Sequence, residues 1–389
     1  RVNVSFAALT MNADLGFSPA VYGLGAGLFF IGYLFFQIPS NLILERVGAR
    51  RLLATIMVIW GVLSSATALV SSAAEFYVIR LLLGAAESGL YPGAMLYLTY
   101  WFGERERAMA VGWFALSVPV AGLLGSPLSG WILDVSADWG LLAGWQWLFI
   151  LEGMPSVLVA LLVLTLLTDR PEQAAWLSAA EKRHLADITA PAPTPTAVAG
   201  HHDVRDWYAI LILSVSYCFF AGALVGSLYW IPKALEALAP GVAPTLIGWL
   251  VGLPYLLFAF GTLYWGHRSD RTGRRRGHVL AAFLLASGGL LLLALADRLS
   301  VGVVAVCLIL LGGGAGFSTF WGLATSALAH RDRAVGIAVV NVLGSLGSFA
   351  TIYLGGVAVQ ATTGYLVTFA GMAAAGVCGA LAVTRLRAA

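Results

Sequence analysis

Charge is scarce in this sequence: only 11% of its 389 residues are Asp, Glu, Lys or Arg, less than half the roughly 25% of an average soluble domain. A fold whose surface faces water is excluded by that shortage. The formal balance of +3 is too small to suggest nucleic acid as a partner. Cysteine is almost absent, and Cys218, Cys307 and Cys378 stand singly in apolar runs, without the spacing of a metal site or a disulfide framework. The sequence has no Walker lysine loop, no HExxH and no Cys-x-x-Cys, which counts against an ATP-driven pump or a membrane enzyme. Neither a metal nor a cofactor is expected.

What fills the chain instead is hydrocarbon. Hydrophobic residues make up 60%, the mean hydropathy is +0.87, and 45 glycines are spread through the apolar stretches, as suits helices packed closely in a bilayer. Runs long enough to span recur at 19–44, 51–72, 74–101, 107–132, 145–168, 207–235, 245–266, 278–296, 299–328, 334–358 and 364–384, each near the 20 or so residues a bilayer requires. A shorter apolar stretch ending at Met11 is expected to be a first helix truncated at its start. The expected fold is therefore an all-α membrane protein of twelve transmembrane helices. Its expected units are residues 1–168, a cytoplasmic linker with an amphipathic helix at 169–206, and residues 207–389.

The few charges are placed unevenly. Of the 22 Lys and Arg residues, Arg1 and Arg80 lie inside helices and Lys233 and Arg298 in loops of one side, leaving 18 on the other. By the positive-inside rule that other side, with the linker and both chain ends, faces the cytoplasm, in a cell inner membrane. The charged loops also repeat. Glu45-Arg46-Val47-Gly48-Ala49-Arg50-Arg51 matches Asp270-Arg271-Thr272-Gly273-Arg274-Arg275-Arg276 at a separation of 225 residues, and Arg105-Glu106-Arg107-Ala108 matches Arg331-Asp332-Arg333-Ala334 at 226. Two matches at nearly one offset indicate a duplicated six-helix unit, hence two pseudo-symmetric bundles with a path between them. Glu45, Arg46, Gly48, Arg50, Asp270, Arg271, Gly273 and Arg274 are either a cytoplasmic gate between helices or anchors of topology.

Charges inside the bilayer point to function, because each costs at least about 2.5 kcal/mol to insert. Arg80 and Glu87 share the fourth helix, and seven residues return a helix to within about 20° of the same face. Arg1 is expected at mid-depth on the first helix. Guanidinium groups aimed into a shared cavity would grip a carboxylate, and Glu87 would carry a proton; the alternative is an ion pair that only fixes helix packing. Glu152 has no ionisable companion on its helix and is expected to be a structural partner, with a proton site as the alternative. Tyr33, Ser318, Trp321 and Asn341 are polar residues in otherwise apolar spans.

Together these features resemble the Major Facilitator Superfamily, through the duplication and the run Gly266-x-x-Ser269-Asp270-Arg271-x-Gly273-Arg274-Arg275-Arg276. Arg1 to Ala8, Gln37-Ile38-Pro39-Ser40-Asn41, and Gly144-Trp145-Gln146-Trp147-Leu148-Phe149 leading to Thr168-Asp169-Arg170-Pro171 resemble its anion:cation symporter branch of tartrate, phthalate and sugar-acid permeases. The resemblance covers essentially the whole chain. It implies that Arg1 binds the substrate carboxylate, that Glu87 couples protonation to substrate beside Arg80, and that Tyr33, Ser318, Trp321 and Asn341 form the pocket. The branch usually has an Asp directly before the Arg1 position, so the number of protons is left open, and Val118 in place of a Gln of sugar-acid members implies a less hydroxyl-rich ligand. The expectation is a monomeric symporter of a small organic anion and a proton, with an anion-sensing receptor or a drug exporter as alternatives.

Overall fold

The structure, a computed structural model, describes residues 3–189, 204–328 and 333–386. Its membrane helices follow the apolar runs in order: α1 (Asn3–Asp14), α2 (Pro19–Val47), α3 (Ala49–Ala66), α4 (Ala73–Glu87), α5 (Leu90–Trp101), α6 (Glu104–Ala115), α7 (Ser117–Ser136) and α8 (Gly144–Leu166). After the linker helix α9 (Ala179–Thr189) come α10 (Val204–Leu238), α11 (Pro244–Gly252), α12 (Tyr255–Phe260), α13 (Gly266–Thr272), α14 (Arg275–Ala294), α15 (Leu299–Ala327), α16 (Arg333–Thr362) and α17 (Leu366–Thr384). Among the described residues, ten segments are long and apolar enough to cross a membrane. The other two expected spans are α1, described over 12 residues, and the 74–101 run, split into α4 and α5. Side chains such as Leu158, Leu161 and Leu162 are exposed, as an apolar surface facing hydrocarbon requires.

Proline explains why three expected spans are divided. Pro92 clashes with the carbonyl of Ser88 and Pro119 with that of Ala115, so the helices break between α4 and α5 and between α6 and α7. Pro254 separates α11 from α12, and a π-helical stretch, Gly261–Trp265, follows before α13. In the linker, Ser178 and Glu181 exchange backbone bonds as a capping box, Glu181 N donating to Ser178 Oγ and Ser178 N to Glu181 Oε2. The backbone bond from Ser178 holds the Glu181 carboxyl below its usual range. The α9 helix then packs beside α5, where Trp101 and Trp176 stack at 5.7 Å.

Helices α1 to α8 form one bundle and α10 to α17 the other. In the first, α2 and α4 meet backbone to backbone: a Cβ on Gly84 would collide with the Phe29 carbonyl, and one on Gly32 with the Leu81 carbonyl. The second bundle uses the same device, with Gly314 against the Phe258 carbonyl and Gly261 against Leu311. Between bundles, the main contacts are of α2 with α16 and of α7 with α11, through Gly23 and Gly356 on one seam and Gly130 and Gly248 on the other, with smaller ones of α1 with α10 and of α7 with α12. These seams lie toward the face opposite the linker, here the distal face. Among the described residues, the hydrogen bonds that cross between bundles are also distal: Ala20 to Gln360, Tyr22 to Tyr229, and Thr245 to Asp134. Toward the linker face, Gly112 and Gly322 have no atom within 4 Å of where a Cβ would stand. Among the described residues, the close glycine contacts between bundles lie distally and at mid-depth, with none toward the linker side.

The glycine contacts are testable. Gly84→Ala is expected to destabilise the purified protein by about 1–3 kcal/mol or more, the cost of an overpacked site, seen as a lower melting temperature, whereas Gly112→Ala leaves it unchanged or raised. Equal melting temperatures for the two variants would contradict the close packing of α2 on α4.

Candidate functional site

The most polar object buried in the first bundle is Arg80, with 3% of its surface exposed. A guanidinium carries five N–H donors, and here the protein meets few of them. Its Nη2 donates to the Ala26 carbonyl at 3.3 Å, and its Cζ lies 5.1 Å from the centre of the Phe29 ring. Its Nε is buried with no hydrogen-bond partner. Seven residues on, about 10 Å along the helix at 1.5 Å per residue, Glu87 is also buried. The end of α4 is tied to α2 beside it, because Ser88 Oγ meets Ser40 Oγ at 2.8 Å.

The duplicated architecture supplies an internal comparison. In the second bundle the corresponding glycine-to-carbonyl contact seats α15 on α12 and the π-helical stretch, yet α15 contains no charged residue. Packing of this kind does not need an ion pair. That removes the main reason to regard Arg80 and Glu87 as mere supports for the fold.

Aromatic rings pack beside the Arg80 cation. Phe29, under the Arg80 cation, stacks with Tyr33 at 6.3 Å. From the second bundle, Tyr217 on α10 stacks on Phe320 at 4.8 Å and meets the edge of Trp321 at 5.0 Å. The Tyr217 hydroxyl is within electrostatic reach of Tyr33 and Tyr91, which belong to the first bundle. The structure thus brings Tyr33 and Trp321 toward one another through Tyr217. Ser318 is placed differently, since its Oγ donates to Gly314 and Ala315 of its own helix. Asn341 is half-buried on α16, and Arg1 lies outside the described residues. Tyr91 had no distinguishing signal in a sequence where aromatics make up 12%.

The family model of the Major Facilitator Superfamily matches residues 1–239 and again 231–388. The chain belongs to the Major Facilitator Superfamily. It is a membrane transporter and not an enzyme. A protein of Agrobacterium vitis named for tartrate transport is 38% identical over 353 residues, 90% of this chain and 78% of its own length. A quinolone resistance transporter of Acinetobacter baumannii is 35% identical over 360 residues, 90% of this chain and 81% of its own. The crystal structure of a D-xylose–proton symporter superposes with a TM-score of 0.75 at 15% identity, covering 100% of this chain and 92% of that one, a likeness of fold alone.

In this major facilitator the two repeated loops are each tied within their own bundle. Gly48, at φ 86°, ends α2 and provides no cap for α3. Asp169, beyond α8, supplies it: Arg50 N donates to Asp169 Oδ1 at 2.7 Å, while Arg50 Nη2 donates to the Leu164 carbonyl. In the second loop, Gly273 turns the chain at φ 67°, and Arg275, the counterpart of Arg50, pairs with Asp270 at 3.3 Å and donates to the Gly322 carbonyl at 2.8 Å. Arg46, Arg271 and Arg274 are exposed. The Glu45 side chain and residues 331–332 lie outside the described residues, as does the linker at 190–203. Two further expected residues hold the scaffold. Ser129 Oγ donates to Glu152 at 2.6 Å, and Trp145 Nε1 donates to Asp14 at 2.7 Å, so the Gly144 to Phe149 run binds α8 to α1.

Asp169→Ala removes the cap of α3 and is expected to cost about 0.5–2 kcal/mol, seen as a lower melting temperature, with Asp169→Asn close to wild type. An Asn variant as unstable as the Ala variant would show that charge, not capping, is what Asp169 contributes.

Proposed function

We propose that this transporter imports a small organic anion together with a proton, by alternating opening of a cleft between its bundles. One observation carries the proposal: Arg80 is a buried cation with donors that the protein leaves unmet. A carboxylate is the ligand that answers such a group, accepting two parallel N–H bonds at once. The Agrobacterium relative, named for transport of a dicarboxylate, supports the same ligand class.

In this reading Arg80, with Arg1, holds the carboxylate and Glu87 carries the proton. Tyr33, Trp321 and Asn341 shape the pocket, with Ser318 behind them. The linker face is cytoplasmic by its load of basic residues, so the arrangement with the distal seams closed is the state that releases substrate into the cell. The repeated loops, each held inside one bundle here, are the cytoplasmic gate of the opposite state. Export is a second reading, favoured by the name of the Acinetobacter relative; it uses the same Arg80 and differs in direction. Two cavity arginines disfavour cationic cargo.

Tartrate uptake into proteoliposomes is the test. Wild-type protein is expected to alkalinise the outside medium as tartrate enters, Glu87→Gln to abolish that proton movement, and Arg80→Lys to lower uptake about tenfold or more through loss of the bidentate contact. Coupled uptake at the wild-type rate in Glu87→Gln would remove Glu87 from the mechanism.

A further inference from the structure

Two of the three hydrogen-bonded contacts across the distal face are related to one another by the duplication. Asp134, near the end of α7, reaches across the seam to the first turn of α11 and accepts from Thr245 N at 2.8 Å and from Thr245 Oγ1. Gln360, near the end of α16, reaches across the other seam to the first turn of α2 and accepts from Ala20 N at 3.3 Å. Asp134 and Gln360 are separated by 226 residues, and Ala20 and Thr245 by 225, the offsets of the repeated loops. Around each latch the surroundings repeat as well. Gly130 lies against the Pro244 carbonyl one turn before Asp134, and Gly356 against the Pro19 carbonyl one turn before Gln360.

The two are unequal for a reason visible at the helix ends. The first N–H groups of a helix have no partner within it and are met by a capping side chain. For α2 the chain provides one, since Ser18 Oγ accepts from Val21 N. For α11 the residue in that position is Ala243, which has no acceptor. Asp134 therefore does for α11, from the other bundle, what Ser18 does for α2 within its own. When the bundles part on the distal side, α11 loses its side-chain cap, while α2 keeps Ser18.

We infer that Asp134 and Gln360 are paired latches that, beside the Tyr22–Tyr229 bond, hold the distal face shut, with Asp134 the stronger because it completes the end of α11 that the second bundle leaves uncapped. They set the balance between the two access states without touching the substrate. The inference rests on the alternating-access reading. Its test uses no ligand, so a failure of tartrate uptake does not decide it.

Spin labels at Leu141→Cys and Leu295→Cys, on distal turns of the two bundles, report their separation by pulsed electron resonance in the full chain with Cys218, Cys307 and Cys378 changed to serine. Asp134→Ala is expected to add a longer-distance population, raising the ratio of distal-open to distal-closed protein about five- to thirtyfold, the factor carried by one cap. Asp134→Asn keeps an oxygen able to accept both bonds and is expected to match the parent, and Gln360→Ala is expected to give a smaller rise than Asp134→Ala. A folded Asp134→Ala protein with an unchanged distance distribution overturns the inference, as does an Asn variant that opens like the Ala variant. Should Asp134→Ala fail to fold, Gln360→Ala decides: a longer-distance population supports the latches and an unchanged one overturns them.

Discussion

Hydrocarbon offers no acceptor to a guanidinium, so an arginine held at bilayer depth must be met by the protein, by water or by a passenger. In this chain Arg80 is met by one carbonyl and the face of one ring. The cost of placing such a group there is at least about 2.5 kcal/mol, and the second bundle shows that the fold does not demand it. The equivalent glycine-to-carbonyl packing is achieved by α15 with no charged residue. A cation retained at a cost, in only one of two structurally related places, is the observation on which the proposed anion site rests.

Glycine determines where that cation stands. Because Gly84 and Gly32 let α2 and α4 touch through their backbones, Arg80 lies within reach of Ala26 and Phe29 on the neighbouring helix. Glycine between the bundles has a different consequence. It brings α2 to α16 and α7 to α11 closest toward the distal ends of those helices, through Gly23 and Gly356 and through Gly130 and Gly248. One residue type thus fixes both where the charge stands and where the bundles meet.

Much of this could be read from the sequence, and what could not has physical causes. The spans and the duplication were legible because a bilayer imposes length and apolarity, and because charged loops stand out in a chain that is 60% hydrophobic. Arg80 and Glu87 were legible for the same reason. The divisions at Pro92, Pro119 and Pro254 lay within apolar runs whose hydropathy does not register a helix break. Tyr91 could not be singled out, since only the meeting of two bundles distinguishes it from other aromatics. Asp134 and Gln360 differ in chemistry, so a search for like residues passes over them. Extending the offset of the loops to the ends of α7 and α16 would have found the pair.

The claim that Arg80 awaits a negative charge is tested most directly by comparing carboxylates with their own neutral amides as stabilisers of the purified protein, because a ligand that binds only the folded state raises its melting temperature. Across a panel of small carboxylic acids, the account predicts at least one that raises the melting temperature in proportion to the logarithm of its concentration, with no effect from the matching amide. Stabilisation by the amide equal to that by the acid, or by cations of similar size in place of either, would contradict it.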